Sequence, residues 1–356
     1  ATNLQLNYLL TAGASMPAIA FAVDEGGGAG EDTQALTVTA VSSNQAVVPD
    51  ANITVTYTDN GAASASAVVP TIALTSLAVN GTATITITAQ DDGPGTPSTN
   101  ATFTVRVADI PTGGFIGWWG GDAGVTKDGG NLVSQWNDFS GTGNHVLQAA
   151  GAVQPTYTAA GINALPSLTF DGARYLQTSA NVGITGDDDF SMFVVLNNSA
   201  TSVFVLGGGD AFSAAQSYGY YIDGRFNTSY AGVQGTLNGT ATSGQARVWA
   251  TVKEPGPINS KTFNTLDGGN QGNIGGSSAV TPNITNLPFA IGRQGNWNGN
   301  KFQGTIAEVL LYSSALSTTD RQKIELYLLN RYGITGAPII SKIPDQVGLT
   351  DGVVRN

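Results

Sequence analysis

The chain has 356 residues, enough for two or three domains that each bury their own core. Its 14 Lys and Arg against 25 Asp and Glu give a net charge of -11, and only 11% of residues are charged, so there is no basic footprint for nucleic acid or an anionic lipid surface. Cysteine is absent and His145 is the single histidine, which excludes disulfides, thiol catalysis and Cys-ligated zinc and leaves at most one imidazole for base catalysis. The first predicted strands are Ala18 to Val23, Ala35 to Val41, Ile53 to Tyr57, Ala83 to Ala89 and Ala101 to Val107. Thr82 to Thr88 alternates polar and apolar residues strictly, as does Thr102 to Val107, so each of these strands should bury one face and wet the other. Turn clusters such as Gly26-Gly27-Gly28 and Asp91-Asp92-Gly93-Pro94-Gly95 separate them, a spacing that fits an antiparallel sandwich.

Ala35 to Asn44 and Gly81 to Ile87 resemble the immunoglobulin-like or cadherin-like repeats of bacterial surface proteins. The resemblance covers residues 1–109 and implies a spacer or adhesive module, with a linker at 110–114. From Phe115 to Ile334 the aromatic supply is denser, and strands are predicted at Ser167 to Phe170, Ser191 to Leu196, Ser202 to Leu206, Arg247 to Val252 and Thr305 to Tyr312. That much strand and turn suggests a larger two-sheet jelly roll. Four ordered motifs, Trp118 to Asp122, Val133 to Gly141, Pro166 to Gly172 and Phe302 to Tyr312, resemble the laminin-G-like branch of the concanavalin A-like lectin and glucanase superfamily. The resemblance spans residues 115–335 and implies a curved sandwich used for glycan or protein recognition. One helix is expected, from about Thr318 to Arg331, with Ser317 as its N-cap, an apolar stripe at Ile324, Tyr327, Leu328 and Leu329, and Gly333 as terminator.

Residues 336–356 resemble the first strand of a further repeat. Ile339, Ile340, Ile343 and Val347 are too apolar for a free end, so either the chain belongs to a longer array or this tail adds to a sheet of another subunit. These four are the candidate assembly residues.

Glucanase relatives pair carboxylates in a Glu-x-Asp-x-x-Glu strand motif, which is missing here; the glutamates are Glu25, Glu31, Glu254, Glu308 and Glu325. His145 lies in a predicted turn, and no Gly-x-Ser-x-Gly elbow accompanies it. No enzyme is expected and no catalytic residue is assigned. Asp24 and Asp32 in one acidic turn, with Asp91 and Asp92 in another, are the candidate metal ligands, and calcium is the cofactor such oxygens would take. Asp138, Asp171 and Asp187 to Asp189 are weaker candidates for the same ion. Trp297 with Asn296, Asn298 and Arg293 has the chemistry of a sugar site, an aromatic platform beside groups that reach hydroxyls. Trp118, Trp119, Trp136 and Trp249 read as packing residues. The expectation is thus a non-catalytic, extracellular or cell-surface, all-β protein. It has an immunoglobulin-like β-sandwich followed by a concanavalin A-like jelly roll with one C-terminal helix. Glycan or another surface ligand is its expected partner. The competing expectation is a self-associating subunit of a filament or surface layer.

Overall fold

The computed structural model describes residues 7–23, 35–58, 68–92, 98–230, 233–236, 241–273 and 279–336. Among these residues the chain is all-β with two helices, and its named strands pair antiparallel except Asn7–Leu10, which runs parallel to Ser98–Val107. The first hundred residues form a four-stranded sheet, ordered Asn7–Leu10, Ser98–Val107, Gly81–Asp91, Leu36–Ser42, and a three-stranded sheet, Ser15–Ala20, Thr71–Thr75, Ile53–Thr56. Alternation does what it should. Ala83, Ile85 and Ile87 are buried and meet Val38, Phe103, Val105, Ile72 and Leu74 in one core. Thr71–Thr75 was not expected from the sequence; it is the middle strand of its sheet.

Beyond residue 114, a nine-stranded and an eight-stranded sheet face each other across a second core. Val205, Leu206, Tyr218, Tyr220 and Phe226 come from the first, and Phe190, Met192, Val194, Trp249, Val309 and Leu311 from the second. The outer face of the eight-stranded sheet presents Phe193, Val195, Val248, Ala250 and Leu310 to Ile324, Tyr327 and Leu328 of the helix Thr318–Arg331. Phe190–Asn198 is therefore covered on both faces, and its unbroken apolar run is explained by that position. The helix begins where the sequence places it, with the Ser317 hydroxyl accepting from the Asp320 N–H at 3.1 Å. Gly333 follows it in the left-handed region, at φ 57°. A second helix, the single turn Ile258–Lys261, corrects the expectation of one. The four packing tryptophans are each 0% exposed.

Arg106 breaks the alternation of its strand. It sits on the face that should be wet, yet is 0% exposed, because its guanidinium reaches Trp118, Phe139 and Tyr327 in the cluster beneath the helix Thr318–Arg331. It bonds Asp122 and Glu308, the latter at 2.9 Å, and lies 5.0 Å from the Trp118 ring centroid. Glu308 also accepts from Trp118 Nε1 at 2.6 Å, Tyr327 at 3.0 Å and Tyr332 at 2.8 Å. Arg331 pairs with both carboxylates and reaches Thr82. Strands before residue 108 are thereby tied to the helix and sheet after it.

Candidate functional site

The loop after strand Pro288–Ile291 is built from the backbone outward. Gly292 and Gly295 have φ of 95° and 46°. A Cβ on Gly295 would lie 2.1 Å from the Gly209 carbonyl oxygen, so only glycine fits there. Gln294, fully buried, donates to Ser217 Oγ and the Ser229 carbonyl, each at 3.0 Å. Asn296 donates to Asp210 Oδ1 at 3.1 Å and accepts from the Ala211 N–H at 2.9 Å. The chain then returns beside strand Val203–Gly209, with the Phe204 N–H donating to the Asn300 carbonyl at 2.7 Å. Held in this way, Trp297 lies half-buried between two other aromatic side chains.

Its ring centroid is 5.0 Å from that of Phe212 and 6.3 Å from that of Phe204, which is 4.5 Å from Tyr221 on the next strand. Phe212 is 65% exposed, and Phe204 and Tyr221 are half-buried. Tyr218 and Tyr220 point the other way into the core, as alternation requires. Beside this aromatic run, Arg293 lies over the Tyr175 ring at 3.8 Å and donates to Asn298 Oδ1 at 2.7 Å and Gln177 Oε1 at 2.5 Å. The amide nitrogens of Asn298 and Gln177 thus have no partner among the described residues, and neither has Arg293 Nε. Burial pulls the Arg293 guanidinium below its ordinary pKa. Hydrogen bonds from Asn296 first, then from the Phe212 N–H and Ser213, hold Asp210 below the usual carboxylate range.

The structure therefore brings all four sequence candidates, Arg293, Asn296, Trp297 and Asn298, into one loop and adds Phe212, Phe204, Tyr221 and Gln177. Asn296 bonds Asp210 and the Ala211 N–H, and Arg293 bonds Asn298 and Gln177, which orients the loop, while the Asn298 amide nitrogen is left without a partner among the described residues. Phe212 had a sequence signal, a large apolar residue in the turn Asp210-Ala211-Phe212-Ser213. Tyr221 is signalled by the aromatic group Tyr218, Tyr220 and Tyr221, of which alternation exposes some members and buries others, while Phe204 had no signal beyond strand alternation.

Asp24 and Asp32 lie outside the described residues, as do Ile339, Ile340, Ile343 and Val347. Asp91 ends the strand Gly81–Asp91, and Asp92 accepts from the Ala35 N–H at 2.8 Å. Among the described residues no three His, Cys, Asp or Glu side chains gather as a metal site. The weaker acidic candidates are taken up by hydrogen bonds and ion pairs. Asp138 accepts from the Trp118 and Ser140 N–H groups at 2.8 Å, Asp171 pairs with Arg174 at 2.7 Å, and Asp187 pairs with Lys253 at 2.8 Å. His145 Nδ1 accepts from the Asp138 N–H at 3.0 Å, a turn bond. Asp122 and Glu308 meet, but around Arg106 and Arg331. Burial alone would raise the Asp122 pKa; the two cations outweigh it and bring it down to about 2, the opposite of a general acid's shift.

No family model matches the chain, and no curated protein matches it. Among solved structures it is similar to an arabinofuranosidase complexed with arabinofuranosyl-alpha-1,2-xylobiose, at 16% identity and a TM-score of 0.45, over 56% of this chain and 50% of that one. It is also similar to domain 4 of a GH43 extracellular arabinanase from Geobacillus stearothermophilus in complex with arabinotriose, at 13% identity and a TM-score of 0.41, over 58% of this chain and 96% of that one. A Trypanosoma rangeli sialidase in complex with sialic acid matches at 13% identity and a TM-score of 0.42, over 70% of this chain and 43% of that one. The chain thus spans half of the arabinofuranosidase and less than half of the sialidase. These neighbours correct the families expected from the sequence. They are described as glycosidases and an arabinanase domain, not as a laminin-G-like or concanavalin A-like lectin behind an immunoglobulin-like or cadherin-like repeat. None of these neighbours is described as an adhesin or a filament subunit, and several are described as glycosidases; the expectations of a non-catalytic adhesin or filament subunit and of no enzyme are corrected accordingly and not carried further.

Proposed function

We propose that the chain recognises a glycan through the aromatic face at Trp297, in the service of carbohydrate processing outside the cell. The observation that carries this reading is the run Phe212, Trp297, Phe204, Tyr221, with Phe212 65% exposed and unpaired amide donors of Asn298 and Gln177 alongside. A sugar offers an apolar face of C–H groups to such rings and hydroxyls to such amides, whereas a random surface seldom leaves a large aromatic side chain in water. In this reading residues 1–109 form a carrier sandwich, 110–114 the linker and 115–335 the jelly-roll sandwich that holds the ligand.

The test is affinity electrophoresis of the full chain through gels that hold arabinan, xylan, mannan or β-glucan. Retardation by at least one polysaccharide, reduced in Phe212→Ala, supports the reading, because so exposed a side chain can be removed without loss of the fold. Equal mobility in every gel overturns it. Release of reducing sugar from the retained polysaccharide, measured on the same preparation, separates binding from turnover.

A further inference from the structure

We infer that this surface takes a single twisted glycan chain several sugar units long, not a lone terminal sugar and not the flat face of a crystalline polymer. The inference rests on the glycan reading above and adds the shape of the ligand. Four rings follow one another at centroid spacings of 5.0, 6.3 and 4.5 Å from Phe212 through Trp297 and Phe204 to Tyr221. One sugar ring covers one or two aromatic rings, so a run of four in successive contact holds successive units of a chain. The planes of neighbouring rings differ by 48°, 66° and 37°. Stacking needs the sugar face parallel to the aromatic face. A crystalline surface presents coplanar faces and meets such a row at one ring only, while a chain that turns from unit to unit meets several.

The twist is built in. Trp297 is fixed by Gln294 and Asn296 at the base of its loop, and Phe204 and Tyr221 are opposite residues of paired strands. Asn298 and Gln177 are joined through Arg293, and their amide donors are the groups that would meet the hydroxyl edge of the chain. Phe212 and Tyr221, at opposite ends, are the positions that read chain length.

Calorimetric titration of the full chain with cello-, xylo-, manno- and arabino-oligosaccharides, from monosaccharide to hexasaccharide, tests this together with sedimentation on crystalline cellulose and chitin. For the sugar that binds, affinity should rise by about tenfold or more from disaccharide to hexasaccharide, the equivalent of roughly 1.4 kcal/mol. Phe212→Ala and Tyr221→Ala should each flatten that rise while melting as the wild type does. Nothing should sediment with the crystalline polymers. Full affinity at the mono- or disaccharide, a length dependence untouched by both substitutions, or co-sedimentation that soluble hexasaccharide does not displace would each overturn the inference while leaving glycan recognition standing. Absence of any binding overturns both.

Discussion

At the scale of single residues, Trp297 and Asp210 divide the work of the surface. In the proposed function Trp297 is the platform for the ligand, so its removal costs that contact: Trp297→Ala should weaken glycan binding by about 1–3 kcal/mol, the range for losing a largely buried aromatic contact. Titration calorimetry checks this, and an affinity equal to that of the wild type would remove Trp297 from the site. Asp210 acts through position. Its carboxylate bonds Asn296, the Phe212 N–H and Ser213, so it ties both flanking loops together. A folded pKa below the ordinary value means that its contribution is complete above the unfolded pKa and is lost as pH falls through the lower, folded one. Glycan affinity should therefore be flat around neutrality and decline below about pH 4. Asp210→Asn, which keeps the shape but not the charge, should show the weaker affinity at every pH and no such decline.

Elements decide how far the sequence could be read. The helix Thr318–Arg331 is a local object, and cap, stripe and terminator all lie within its own residues, so its limits were legible. Ser317→Ala should cost about 1 kcal/mol in urea unfolding, the worth of one N-cap side chain. The buried faces of Gly81–Asp91 and Ser98–Val107 were legible for the same reason, since period-two alternation needs no knowledge of partners. Thr71–Thr75 was not, because its short pattern shows only against the strands on either side. The aromatic run was half legible. Trp297 announced itself among asparagines, but Phe204 and Phe212 reach it only through strand register and the return of the 292–302 loop. Gly295→Ala should disturb that return, because the new Cβ would strike the Gly209 carbonyl; weakened glycan binding with a clear drop in melting temperature is expected.

Across the whole molecule Arg106 joins the strands before residue 108 to those after it, and the alternating pattern hid its burial. A charge on the wet face of one sheet is spent on Glu308 of another and on Asp122 in the turn after strand Phe115–Gly120, and Arg331 and Tyr327 of the helix complete the clamp. Arg106→Met leaves buried carboxylates short of a cation and should cost about 3–5 kcal/mol. Thermal melts should then split into two transitions, the strands before residue 108 melting apart from the rest. Asp122, lowered from 3.8 to about 2, contributes stability that is complete above its unfolded pKa and is lost as pH falls toward 2, about 2 kcal/mol in all. The clamp fixes the frame behind the face that carries Trp297. Four of the five tryptophans are 0% exposed, so the fluorescence that acrylamide can reach is that of Trp297. Acrylamide quenching, measured with and without a polysaccharide that retards the protein in affinity gels, therefore tests glycan recognition at that residue most directly. A bound glycan should shield the accessible emission, and Trp297→Phe should abolish both that emission and its shielding. Quenching that stays the same at saturating polysaccharide would contradict a glycan lying on Trp297.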